Sequence, residues 1–160
     1  MSDDRARRNL LRHALATLAY RGAKAFRDAP EGFADFRAAP DSRSAGEILA
    51  HIGDLLDWGV ALAKGQHKWQ QSPVLSWKEG VARFHTSLER FDSALKSDEG
   101  LGFSAEQLFQ GPIADSFTHV GQIGMLRRLA SAPVKGENYA KADIVTGRVS
   151  QAQAAPNVEF

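Results

Sequence analysis

Asp115 and His119 stand four residues apart in GPIADSFTHVGQIGMLRRLA, residues 111–130. Residues at this spacing share one face of a helix, so a carboxylate oxygen and an imidazole nitrogen can reach one point. Both are ligands for a borderline divalent ion, but two seldom define a site. Catalytic zinc typically takes three protein ligands and keeps one position open, and iron, cobalt and nickel accept the same donors. A D-x-x-x-H spacing is also what a plain hydrogen-bonded pair would show. The decision rests on which element brings a third group.

Four other histidines are available: His13, His51, His67 and His85. His67 lies in the polar stretch GQHKWQQSP and reads as exposed. His85 flanks the apolar stripe of its segment and reads as structural or solvent-facing, and His13 is a reserve candidate. His51 has Ile48, Leu55 and Trp58 at neighbouring turns, so it points inward and must find a partner. That partner is either an ion or a hydrogen bond to Asp115 or a backbone carbonyl.

The elements that would position these groups read as helices. Leu10, Leu11, Ala14, Leu15, Leu18 and Ala19 make an apolar stripe over Asn9–Phe26. Pro30 and Pro40 bracket a loop in which Phe33 and Phe36 would plug the core. Ser44 with Glu47, and Ser76 with Glu79, are capping boxes opening a second and a third helix. Gly65 falls near the end of the second. Trp77, Val81, Phe84, Leu88, Phe91 and Leu95 form the stripe of the third. Ser104 and Gln107 make a further box. Because proline is tolerated in a first turn but not in an interior, the fourth long helix is expected from Pro112 to about Ala130, with Ser104–Phe109 a separate short turn. Periodicity stops after Pro133. The expectation is an all-α four-helix bundle over residues 1–140 and a tail over 141–160 that packs on it or hangs free.

Composition narrows the function. A formal net charge of +1 argues against a nucleic-acid binder, and Arg5, Arg7, Arg8 and Arg12 beside Asp3 and Asp4 read as a solvated helix start. The absence of cysteine removes thiolate ligands, thiolate nucleophiles and disulfides. No stretch reaches the roughly 20 apolar residues of a membrane span, and the N-terminus lacks a convincing secretory core, so a cytoplasmic, soluble protein is expected.

The stretches AGEILAHIGDLLDW (residues 45–58) and IADSFTHVGQIGMLRRLA (residues 113–130) resemble the DinB/YfiT family of metal-dependent proteins, the resemblance running loosely from Ala6 to Ala130. It implies an up-down-down-up bundle holding one divalent ion, Zn, Ni, Fe or Mn, between helices two and four. By position the family's ligands fall on His51, Asp115 and His119. Asp115 stands where relatives commonly have histidine. That keeps three ligands, lowers the site's charge by one unit and favours a harder ion; ligation is the preferred reading, an acid–base group or a weak site the alternatives.

Around this set, Gln122 could hydrogen-bond a neighbouring group, and Asp54 could orient the site or lie on a solvated face. Gly121 and Gly124 would let another backbone come close. Met125, Leu126 and Leu129 read as core; Trp58 and Tyr20 could line a cleft but read more simply as core or rim. Glu137, in GENY, would cover the site's mouth, act as a base, or sit in a plain loop. An enzyme of this kind would be a hydrolase or a thiol-dependent transferase, activating water or a low-molecular-weight thiol. The competing expectation is a non-catalytic metal- or ligand-binding bundle with a vestigial site. No nucleotide fingerprint, G-x-S-x-G elbow or H-E-x-x-H points elsewhere. A surplus of apolar residues on helices one and three suggests a homodimer.

Overall fold

Three reciprocal caps start three of the helices. Ser44, Ser76 and Ser104 each accept the backbone N–H three residues on, and Glu47, Glu79 and Gln107 each reach back to the cap's own N–H. The computed structural model describes residues 2–160. Its helices are α1 (Ser2–Phe26), α2 (Ala45–Ala63), α3 (Trp77–Lys96), α4 (Ala105–Leu108) and α5 (Ala114–Leu129), with 3-10 turns at Phe33–Asp35 and Tyr139–Lys141. No strand occurs among the described residues; Glu137 and Glu159 form one isolated antiparallel bridge. The fold is all-α, built on four long helices.

Two expectations about helix ends are corrected. α1 begins at Ser2 rather than Asn9, its first turns supported by Asp3–Arg7 and Asp4–Arg8 pairs at 2.9 Å. The arginines there are not uniformly solvated: Arg8 is buried, donating to the carbonyls of Ser97 and Glu99 beyond α3, and Arg12 grips Asp92 through two bonds. α4 and α5 are not separate either. Phe109–Ile113 form a π turn with Pro112 inside it, so the helix runs on from Ala105 to Leu129. The wider turn takes up the ring and the missing N–H that would break an α-helix.

Contacts give the helix directions. Arg83 and Arg90 of α3 meet Asp54 and Asp57 of α2 in ascending order, so these two helices run parallel. α1 opposes α3, with Arg12 at Asp92 and Phe26 at Trp77, and α5 opposes α2, with Gly111 at Trp58 and His119 at His51. Parallel neighbours need a return connection. Residues 64–76 must travel back along α2, whose 19 residues span about 28 Å. They start from Gly65 in the left-handed region (φ 76°), then pass Trp69 over His51, Ser72 onto Asp54 and Val74 beside Gly46. This crossing builds one wall of the site.

The core is the expected stripes closed on each other. Phe84, Leu88, Phe91 and Leu95 of α3 are fully buried with Leu15, Leu18 and Phe26 of α1, and Phe26 meets Phe84 edge-on at 5.0 Å. Each such side chain contributes about 1.5–3 kcal/mol. Phe33 is buried against Trp77 and stacks on Phe36, as plugs should. Of the large apolar side chains described on α1 and α3, where a surplus is expected, Leu10 alone lies exposed.

The chain after α5 folds back onto α1 and α3. Arg127 anchors the turn by donating to the carbonyls of Ala25, Arg27, Asp28 and Ala132. Val149 is buried and its carbonyl accepts from His85 Nδ1 at 2.9 Å, whereas Val145 and Phe160 are exposed. Glu137 is buried, accepting from Tyr20 Oη at 2.5 Å and Lys24 Nζ at 2.8 Å. It is neither a site lid nor a free base, and Tyr20 faces it rather than a cleft.

Candidate metal centre

His51 comes from the middle of α2, and Asp115 and His119 from the first two turns of α5. One ligand atom from each lies within 4.8 Å of the other two. His119 Nε2 is 3.4 Å from Asp115 Oδ1, His51 Nε2 is 4.0 Å from Asp115 Oδ2, and the two imidazoles meet edge to face at 4.7 Å. The two nitrogen–oxygen distances are longer than an ordinary hydrogen bond. The three groups converge on one space without bonding to one another, which a structural hydrogen-bonded pair would not do.

The orientation of His119 is set from outside that space. Its Nδ1 lies 2.8 Å from Gln122 Oε1, an acceptor that favours a proton on Nδ1 and turns Nε2 toward Asp115. Burial, then the charges of Arg43 and His119, push the His51 pKa below the ordinary imidazole value against the opposing pull of Asp115 and Asp54. His51 is therefore neutral near pH 7, the form in which an imidazole is a ligand. Asp115 is half-exposed, leaving the set open to solvent on one side.

The donor set fits a divalent ion: two imidazoles and one carboxylate, converging from two rigid helices. Trp69 packs edge-on to His51 at 5.7 Å and against Trp58 at 6.0 Å, giving an indole wall. Trp58 is half-buried, its Nε1 enclosed without a partner, and lies at the π turn, where a side chain on Gly111 would meet it at 3.4 Å.

The remaining candidates fall elsewhere. His13 bonds Thr146, His85 is buried under the tail, and His67 stands exposed near Trp58 and Phe103. Asp54, expected on a solvated face or orienting the site, is buried and held by Arg83 at 2.8 Å and the Ser72 N–H at 3.2 Å. Gly121 and Gly124 approach no other backbone: a Cβ at either would stand in open space. Met125 and Leu129, read as core, are exposed, whereas Leu126 is buried. Sequence reasoning missed Trp69 and Arg43. Neither sits in a periodic segment, and only the return path of residues 64–76 brings Trp69 to His51.

No helix is long and apolar enough to cross a membrane. Comparisons of the chain with family models, with curated proteins and with solved structures found no match.

Proposed function

We propose that His51, Asp115 and His119 hold a divalent metal ion and that the protein is a DinB-like metal-dependent enzyme of the hydrolase or thiol-dependent transferase type. The observation that carries the reading is the convergence of three ligand atoms within 4.8 Å, from two antiparallel helices, with no hydrogen bond among them. The helix directions, α1 and α5 one way and α2 and α3 the other, support the up-down-down-up arrangement of that family. A bound divalent ion would supply Lewis acidity, making water or a thiol a better nucleophile near pH 7. The chain's own part is positional. Gln122 favours the His119 proton on Nδ1, Asp115 adds the compensating negative charge, and Trp69 shields His51 from water on one side.

Elemental analysis after incubation with nickel, manganese, iron or zinc tests the reading. About one equivalent of one ion is expected in the wild type. His51→Ala and Asp115→Ala should lose it while far-UV circular dichroism stays at the wild-type level. Absence of metal from the wild type under all four conditions would sink the proposal and leave a binding or structural bundle.

A further inference from the structure

His119 and Gln122 also line a groove of about 360 Å3. This is the lower end of the range for small-molecule sites. Its walls are apolar: Ile48 from α2, and Met125, Leu126 and Leu129 from α5. Met125 and Leu129 are more than half exposed, so their side chains are open to a ligand along this wall. Arg43 stands exposed in the same lining and has no carboxylate partner among the described residues. Most other arginines in the molecule are engaged with carboxylates or carbonyls. The groove thus joins a short apolar channel, an unpaired guanidinium and one member of the donor set, His119.

We infer that this groove binds the substrate, and that the substrate class is a small carboxylate carrying a short aliphatic chain, its carboxylate paired with Arg43 and its chain laid along Ile48, Met125 and Leu129. The inference rests on the metal reading for its chemistry, but its binding terms are independent of it. A guanidinium presents a planar pair of donors matched to a carboxylate, and a neutral isostere cannot use them. A divalent ion on one carboxylate and two neutral imidazoles leaves a net positive charge, which adds to that of Arg43 and draws an anion toward the groove.

Amide NMR titrations of the zinc-incubated full chain with acetate, butanoate, hexanoate and hexanamide provide the test, with zinc content measured in the same samples. Hexanoate should shift the amides of Arg43, Gln122, Met125 and Leu129. Affinity should rise about two- to fourfold per methylene from acetate to hexanoate, given partial burial of each group. Arg43→Gln should weaken hexanoate about tenfold, leave hexanamide unchanged and keep its zinc. Equal binding of hexanoate and hexanamide, or no effect of Arg43→Gln, would overturn the inference. Hexanoate binding that requires zinc but ignores Arg43 would put the carboxylate on the ion and overturn it too. Arg43-dependent binding in protein that takes up no zinc would uphold the groove and sink the metal reading instead.

Discussion

The molecule holds two polar clusters that differ in pairing and in burial. Between α1 and the C-terminal segment, Tyr20, Lys24, Glu137 and Glu159 satisfy one another: Glu137 accepts from Tyr20 and Lys24, and Lys24 donates again to Glu159 at 2.9 Å. Between α2 and α5, His51, Asp115 and His119 point their ligand atoms at a common space and bond to none of each other. Buried polar groups are costly unless paired, so folding alone accounts for the first cluster; the second is only partly buried and open to water, and burial does not require its groups to converge. The latch is closed, paired and buried, whereas the candidate site is unpaired and open on one side.

The largest effect should come from opening the closed cluster. Lys24→Met strands the Glu137 carboxylate, which is fully buried in its side chain, and should cost about 3–5 kcal/mol in denaturant unfolding. Metal content should not change, because no ligand is touched; a parallel loss of metal would show that the two clusters are coupled. The latch also has a pH signature. Burial and then the Glu137 bond raise the Tyr20 pKa, and bonds to Glu137 and Glu159 outweigh burial to raise that of Lys24. Both folded values exceed unfolded values of about 10, so the folded state binds more protons in alkali. Their contribution is therefore fully present below about pH 10 and is lost as pH rises further. Tyr20→Phe should flatten that alkaline limb.

A smaller effect should come from loosening the open cluster without removing a ligand. Gln122→Ala frees the His119 ring to turn or change tautomer, and should weaken metal binding about 10- to 100-fold in a competition titration, with no change in unfolding. Gln122→Glu keeps an acceptor at the same position and should restore most of the affinity. If Gln122→Ala bound metal as tightly as wild type, His119 would be oriented by the helix alone.

The parts of this contrast that were legible in the sequence are the local ones. Serine–glutamate boxes act within one turn, so Ser44 and Ser76 announced their helices, Ser104 marked only a short turn, and i,i+4 spacing put Asp115 and His119 on one face. The apolar neighbours of His51 pointed it inward, toward α5. The closed cluster was not legible, because Lys24 and Glu137 are 113 residues apart and nothing local marks them as partners. Pro112 misled for a different reason. Its local rule is to end an α-helix, and the π turn that absorbs it depends on the packed surroundings. Asp54 misled likewise: its partner Arg83 is on the next helix, at a register fixed only by parallel packing.

The smallest predicted effect concerns the outer face of α5, next to the open cluster. Gly121 and Gly124 look like residues kept small for a close approach, yet a Cβ at either meets nothing within 4 Å. Glycine in a helix interior costs about 1 kcal/mol relative to alanine through the freedom it has in the unfolded chain. Gly121→Ala and Gly124→Ala should therefore each stabilise the isolated chain by about 0.5–1 kcal/mol, a rise of a few degrees in thermal melts. Neither should alter metal content, since the ligands lie on the inward side of the helix. A fall in melting temperature would mean that a second surface covers this face in solution. Melts over a range of protein concentration would identify it: a destabilisation that deepens on concentration points to a second copy of the chain packed against the two glycines.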